Sequence, residues 1–294
     1  MTRKDVIIIA SVSAIYGLGD SKVYGQLAVD LKVGEEYTRD VLFRRLVDLQ
    51  YTRAMGSFKQ GMFNVLGDTI EIFPPSSDNV LRLEFFGDEL ERIEEADGFT
   101  GEVYGEMQEV HIFPASHNVT TKERIEEAIP KIQEELEQRH KFFVENEMIV
   151  HAERIKTRTE YDIEMMRETG YCSGIENYVR YLNNSKAGDP PPTLMNYFPK
   201  DFLMFIDESH ITVPQVRGMF NGNLARKKNL VDFGFRLPSA YDNRPLQYPE
   251  FEKFMKHATF VSATPQQYEF DYSENKVVEQ IIRPTGLLDP KIEI

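Results

Sequence analysis

The stretch FLMFIDESH at residues 202–210 decides the fold class. Its five apolar residues predict a strand that ends at Asp207, as strands of a parallel α/β sheet do where they lead into a ligand site. At such a strand end, one carboxylate can hold a magnesium ion through a water molecule while a second orients the water that attacks a phosphate. We therefore predict a nucleotide-hydrolysing site in which Asp207 faces the metal and Glu208 faces the water. The alternative is that the two acidic residues only stabilise the N-terminus of the following helix.

A second apolar strand, predicted at residues 258–261, strengthens this interpretation because it also ends in polar residues. The sequence SAT follows it at residues 262–264, and in a parallel sheet it would lie beside the end of the first strand. We expect Ser262 and Thr264 to couple the state of the nucleotide to the rest of the domain. No second histidine or cysteine accompanies His210 at metal-ligand spacing. We therefore expect His210 to form hydrogen bonds rather than to bind a metal.

The remaining sequence divides into a β-rich part and a helical part. Polar and apolar residues alternate at 69–73 and 81–85, which predicts half-buried antiparallel strands joined by turns. Residues 21–118 are therefore interpreted as an inserted β-rich domain. Residues 1–20 would be part of the first motor domain, the one that holds the predicted nucleotide site, and residues 119–294 would hold a helical segment and the remainder of that domain.

Local signals refine this division. The β-branched run at residues 6–10 predicts a buried strand in the motor domain. Thr120 and Glu123 fit a capping box at the start of a long, charged helix. Pro130 should kink or restart that helix because proline removes one backbone hydrogen bond, and Gly170 is a suitable stop. The predicted fold class is α/β, with a parallel sheet, an inserted β-rich domain and a helical segment.

The distribution of charge indicates the partners. The net charge of −14 at first argues against binding to nucleic acid. Basic residues nevertheless concentrate between positions 214 and 246, against only Asp232 and Asp242: Arg217, Arg226, Lys227, Lys228, Arg236 and Arg244. We expect four of them to contact DNA phosphates without regard to sequence: Arg226, Lys227, Lys228 and Arg236. Tyr171 and Tyr178 are candidates for stacking on a base, with a core position as the alternative for either.

No stretch of the sequence is long and apolar enough to cross a bilayer. The start of the chain imitates a secretory signal, but Asp5 interrupts it and the apolar run is short. The single cysteine excludes an internal disulfide bond. We therefore expect a cytoplasmic protein with no membrane partner.

Several longer segments carry a resemblance to a known family. Residues 207–210 and 262–264 resemble motifs II and III of helicase superfamily two. This resemblance implies that the α/β part is a partial P-loop-type helicase motor domain, in which His210 would link the nucleotide site to a DNA site. Three further segments resemble the UvrB family, the B subunits of bacterial excinuclease ABC: IIIASVSAIYGLG at 7–19, GYCSGIENY at 170–178 and DFGFRLPSA at 232–240. The resemblance covers essentially the whole chain. It implies the ATP-dependent subunit that recognises and verifies damage in nucleotide excision repair, with ATP and Mg²⁺ as cofactors and with UvrA, UvrC and damaged DNA as partners.

The resemblance also predicts which parts of the family's machinery lie outside this sequence. No G-x-x-x-x-G-K-[ST] phosphate loop occurs in the 294 residues. The family's aromatic β-hairpin is expected before them, and its second motor domain, with an arginine finger, after them. We therefore expect a central segment that does not hydrolyse ATP by itself and does not hold ATP and Mg²⁺ tightly.

The β-rich domain resembles the family's UvrA-binding domain. Around residues 58–68 the family commonly has arginines, whereas Gln60, Asn64 and Leu66 stand here. We expect Arg53, Asn64 and Leu66 to face UvrA, with Arg53 as the strongest contact; the alternative is that Arg53 is only a solvated surface residue. A second functional hypothesis is a UvrA-docking module without ATPase activity, as in transcription-repair coupling factor. The intact motifs II and III favour the UvrB family over it.

Overall fold

The computed structural model describes residues 5–281. Residues 21–112 form a β-rich unit. In chain order its helices and strands are α1 (Ser21–Gln26), β1 (Val29–Lys32), α2 (Arg39–Asp48), β2 (Thr52–Arg53), β3 (Met62–Leu66), β4 (Thr69–Phe73), β5 (Asn79–Phe86), β6 (Glu89–Asp97), β7 (Val103–Met107) and β8 (Glu109–Ile112).

Strands β2 to β7 form one six-stranded sheet in sequence order, while β1 and β8 pair separately. Neighbouring strands of the large sheet are antiparallel except β2 and β3, which are parallel. The register places Ile70 beside Leu83 and Leu83 beside Ile93. These three side chains are fully buried in one core with Leu46 of α2. The alternating patterns at 69–73 and 81–85 therefore form the predicted half-buried strands, because every second residue faces this core.

Two long helices follow the β-rich unit. They are α3 (Lys122–Glu145) and α4 (Ile149–Thr169), and a short α5 (Val179–Leu182) packs against α3. Their shared core contains Ile129, Phe143 and Met166. Gly170 ends α4 with φ of 72°, as predicted, because glycine adopts the left-handed conformation without a steric penalty.

The start and the middle of α3 differ from the sequence prediction. Thr121 is the N-cap, and its Oγ1 accepts a hydrogen bond from the backbone N–H of Arg124 at 3.4 Å. The hydroxyl of Thr120, which the sequence pattern assigned to the cap, is instead buried without a hydrogen-bond partner. The helix does not restart at Pro130 but continues to Glu145. Burial of Ile129 and its neighbours on one face holds the helix together where proline removes a single backbone hydrogen bond.

The last part of the structure contains a small parallel sheet between helices. Its elements are β9 (Met204–Ile206), α6 (Ser209–Asp232), α7 (Tyr248–Glu252), β10 (Ala258–Phe260) and α8 (Gln267–Tyr272). Strands β9 and β10 are parallel, with Ile206 in register with Phe260. Val213 of α6 and Phe251 of α7 are buried in the core beneath them. This arrangement confirms the two predicted strands and their parallel orientation.

The strand predicted at residues 6–10 does not form. These residues have no regular secondary structure, and Ile7 and Ile9 are 93% and 98% exposed. A buried strand requires a hydrogen-bonded neighbour and apolar contacts on its faces. Within residues 5–281 no strand pairs with this run. In the same described range, no helix is long and apolar enough to span a bilayer.

Candidate nucleotide and nucleic-acid sites

The carboxyl end of β9 presents two carboxylates to solvent. Ile206 is buried, while Asp207 and Glu208 are exposed in the turn between β9 and α6. Glu208 has φ of 45° and ψ of 48°, the left-handed conformation that residues with a Cβ seldom adopt. The turn thereby directs the chain from the strand into α6 with both acidic side chains open to a ligand.

Hydrogen bonds on both sides hold this turn in place. Thr212, one turn into α6, donates its hydroxyl to the carbonyl oxygen of Asp207 at 2.8 Å. The backbone N–H of Ser209 donates to the carbonyl oxygen of Val261 at 3.0 Å, which joins the turn to the end of β10. The ends of β9 and β10, which the sequence predicted to lie side by side, are therefore joined by a hydrogen bond.

His210 forms the side-chain link between these strand ends. Its Nδ1 lies 2.8 Å from the hydroxyl oxygen of Ser262 and 3.4 Å from a carboxylate oxygen of Glu208. The hydroxyl oxygen of Ser262 also accepts the backbone N–H of Thr264 at 3.1 Å. The structure thus brings together Glu208, His210 and Ser262 through their side chains, and Thr264 joins the cluster through its backbone N–H. Their roles in coupling remain predictions.

The donor set is compatible with a magnesium ion. Magnesium keeps several of its water ligands and takes one or two protein carboxylates together with substrate phosphates. Asp207 and Glu208 supply that number of carboxylates at an open strand end. Among residues 5–281 there is no cluster of three or more His, Cys, Asp or Glu side chains that would form a complete protein cage for a metal. The two carboxylates would therefore suit a hydrated magnesium ion that also binds the phosphates of a nucleotide.

The basic residues of α6 do not share one environment. Arg226 and Lys228 are exposed, and Arg236 is half-buried just beyond the helix. Lys227 is only 3% exposed, and its Nζ donates to Oδ1 of Asn177 at 2.7 Å. Burial, reinforced by the positive charge of Arg226, lowers the pKa of Lys227 to about 8.

The prediction that Lys227 contacts DNA phosphates disagrees with this position. Consecutive helical residues point about 100° apart around the axis, so the middle residue of a basic run can face the buried side of a helix while its neighbours face solvent. Lys227 occupies that buried side and packs near the 170–178 segment through Asn177. The exposed candidates for phosphate contact are Arg226 and Lys228, with Arg236 less accessible.

The two candidate tyrosines also differ in their exposure to solvent. Tyr171 is 37% exposed and remains available for stacking. Tyr178 is 3% exposed, and its hydroxyl donates to the carboxylate of Asp162 at 2.8 Å. Burial and the nearby negative charge of Asp162 raise the pKa of Tyr178. Tyr178 is therefore a core residue, the alternative that the sequence left open.

The three residues predicted to face UvrA lie near one edge of the large sheet. Arg53 is exposed on β2, the edge strand. On the adjacent β3, Asn64 is half-buried and in register with Glu71 of β4, and Leu66 is 56% exposed at the end of the strand. The side chains are accessible, and their contact with a partner remains a prediction.

The face of the sheet that carries Asn64 also carries an ion-pair network that the sequence pattern did not predict. Arg82 lies 3.4 Å from Glu71 and 3.5 Å from Glu94, so it joins three neighbouring strands. Arg92 extends the network through Glu94 at 3.4 Å and Glu106 at 3.8 Å. The alternation at 81–85 was a signal for Arg82, because it places residue 82 on the face opposite the buried Leu83. Which acidic residues it meets depends on the register.

Comparison with known proteins matches two parts of the chain to two family models. Residues 29–118 match the model of the UvrB interaction domain, and residues 123–184 match that of the UvrB third helical domain. The chain is 56% identical over 293 residues to UvrABC system protein B of Carboxydothermus hydrogenoformans, 56% over 293 residues to that of Bacillus subtilis and 57% over 293 residues to that of Listeria monocytogenes serovar 1/2a. Each alignment covers 99% of this chain and 44% of the relative. The chain therefore spans less than half the length of these relatives.

Proposed function

The chain belongs to the UvrB family, and on that premise we propose that it is part of the ATP-dependent subunit that recognises and verifies DNA damage in nucleotide excision repair. In this proposal the whole protein receives DNA from UvrA and recruits UvrC. The observation that carries it is the cluster at the ends of β9 and β10, where Glu208, His210 and Ser262 lie within hydrogen-bonding or ion-pair distance of one another. Membership of the UvrB family does not favour the docking module of transcription-repair coupling factor.

Each residue of the cluster has a distinct proposed role. When bound, magnesium would neutralise charge that develops on the transferred phosphate. Asp207 would hold the ion through its water ligands, and Glu208 would accept a proton from the attacking water. His210 contacts both Glu208 and Ser262, so a movement of the Glu208 side chain would be transmitted to Ser262. Thr212 keeps the carbonyl of Asp207 fixed, which restrains the start of the turn.

The β-rich unit is the proposed docking surface for UvrA. Its match to the UvrB interaction domain supports this assignment. Arg53, Asn64 and Leu66 would form one part of the surface, at the β2–β3 edge. The ion pairs of Arg82 with Glu71 and Glu94 hold neighbouring strands of the same sheet in register, which presents a preformed surface to the partner.

The basic end of α6 is the proposed DNA surface. Arg226 and Lys228 would contact phosphates, Arg236 would support them and Tyr171 would stack on a base. Such contacts are independent of base sequence, which suits a protein that examines any DNA. Lys227 would act indirectly, by holding Asn177 from within the core.

The test separates docking from hydrolysis. The 294-residue chain contains no phosphate-loop sequence, so we expect it to bind purified UvrA but to show no ATP turnover above a Glu208→Gln control. Arg53→Glu should weaken the binding to UvrA, whereas Lys156→Glu, on the surface of α4, should not. Turnover by the chain that Glu208→Gln abolishes would contradict the first expectation. Equal binding of UvrA by all three chains would contradict the docking surface.

A further inference from the structure

A buried carboxylate outside the two motifs reaches the first of them. Glu269 of α8 is 4% exposed and accepts a hydrogen bond from the hydroxyl of Ser209, which is completely buried. Ser209 follows Glu208 directly and is the first residue of α6. A carboxylate out of contact with water is costly unless hydrogen bonds satisfy its oxygens. An exposed glutamate on a helix is ordinary, but the burial of Glu269 against Ser209 calls for a structural reason.

The second carboxylate oxygen of Glu269 serves its own helix. It accepts the backbone N–H of Gln266, the N-cap of α8, while the side chain of Gln266 completes a capping box. Glu269 consequently connects the first residue of α6 with the start of α8. A single side chain thereby ties motif II to the helix that follows motif III.

Aromatic contacts fix the position of α8 relative to the site. The ring of Tyr268 lies 5.5 Å from that of Phe260, the last residue of β10. The guanidinium of Arg217, on α6, lies 4.7 Å from the centre of the same tyrosine ring. Glu269 follows Tyr268 in the chain, so its carboxylate is held against α6 by a helix that is itself packed on both β10 and α6.

The residue beside Ser209 is the one that most needs such support. A left-handed conformation at a residue other than glycine is strained and persists only where the surroundings enforce it. Glu208 adopts it with φ of 45°. The restraint before this residue is the hydroxyl of Thr212 on the carbonyl of Asp207, and the restraints after it are the two hydrogen bonds of Ser209.

We propose that Glu269 is a positioning residue for motif II, because its hydrogen bond to the Ser209 hydroxyl holds Glu208 in the left-handed turn that aims both acidic side chains at the nucleotide. This inference rests on the proposed function, since ATP hydrolysis reports the geometry of the turn. Glu269 does not touch the reacting atoms. It acts through Ser209.

The experiment uses the full-length protein that carries this sequence, assayed for DNA-stimulated ATP hydrolysis. Ser209→Ala removes the hydroxyl. Glu269→Gln retains the shape of the side chain but places an amide N–H₂ against one of its two hydrogen-bond donors. The matched control is Tyr272→Phe, which removes a hydroxyl contact with Glu252 from the same helix and leaves Ser209 untouched. Melting temperature is measured for every variant, and Asp207→Ala sets the background rate.

The expected result is a fall in kcat of about tenfold for Ser209→Ala and for Glu269→Gln, with KM for ATP close to that of the wild type. The melting temperature should fall in both variants, because each leaves a buried polar group without its proper partner, so kcat is measured well below the melting temperature of every variant. The kcat of the double variant should be no lower than that of the slower single variant, because both substitutions break the same hydrogen bond between Ser209 and Glu269. Unchanged kcat in the single variants, multiplied losses in the double variant, or a loss that Tyr272→Phe reproduces would overturn the inference. If the wild-type protein hydrolyses no more ATP than Asp207→Ala, the proposed function itself fails and this inference fails with it.

Discussion

Lys227 makes the stability of this protein depend on pH in a way that one substitution should remove. Its ammonium group is buried and has one hydrogen bond, to Asn177. Arg226 and Arg236 disfavour its charge, and Glu176 favours it. Lys227→Met keeps the length of the apolar stem and removes the titrating group.

The magnitude follows from the pKa. Burial lowers the pKa of Lys227 from its ordinary value of 10.5 to about 8 in the folded state. Below about pH 8 the lysine is charged in both states, so the folded state bears the whole cost of burying the charge. As pH rises from about 8 to 10.5, the folded protein loses the proton first and becomes more stable relative to the unfolded chain. Linkage at about 1.4 kcal/mol per pKa unit gives a gain of roughly 1 kcal/mol between pH 7 and pH 9.

The assay is urea unfolding at pH 7 and at pH 9, followed by circular dichroism. We expect the free energy of unfolding of the wild type, measured relative to Lys227→Met, to rise by about 1 kcal/mol between the two pH values. Other titrating groups are common to both proteins and cancel in this difference. The control is Lys228→Met, an exposed neighbour on the same helix, for which the difference should stay constant. A constant difference for Lys227→Met as well would refute the reasoning.

Three further predictions concern stability. Thr121→Ala should lower the free energy of unfolding by about 1 kcal/mol in urea titrations, because it removes the cap of α3; Thr120→Ala, which removes an unpaired hydroxyl, should cost less, and the reverse order would contradict the capping assignment. Leu83→Ala should cost about 2–5 kcal/mol, because it opens a cavity in the sheet core; a loss as small as that of an exposed leucine would argue against the register. Gly234→Ala should lower the melting temperature, because its φ is +70° and a Cβ would lie 2.6 Å from the carbonyl oxygen of His151; an unchanged melting temperature would be inconsistent with that close approach.

Local patterns predicted much of the secondary structure. The alternation at 69–73 and 81–85 became β4 and part of β5, and Gly170 ends α4. These features depend on residues close in sequence, so their physics is contained in a short window. The predicted N-cap of α3 was wrong by one residue. Thr120 and Thr121 carry the same hydroxyl, and the backbone conformation at the start of the helix decides which of them is the cap.

Burial was the property that local patterns predicted least well. Residues 6–10 resemble a buried strand in composition but are exposed, because a strand is buried only when other strands and helices cover it. Lys227 stands in a basic run and yet lies in the core. Tyr171 and Tyr178 occur in one segment and differ in exposure. In each case the outcome depends on a distant segment that packs against the residue.

The sequence by itself determined the identity of the chemical groups at the candidate site: an acidic pair after one strand, a serine and threonine after another, and a histidine between them. Strand periodicity and the parallel connection were enough to place the two strand ends side by side. Only the tertiary structure decided that Glu208 is left-handed and that Ser209 meets Glu269, sixty residues away. Hydrogen bonds depend on distances of a few tenths of an ångström, and such distances are set by the packing of α6, β10 and α8, which no short stretch of sequence contains.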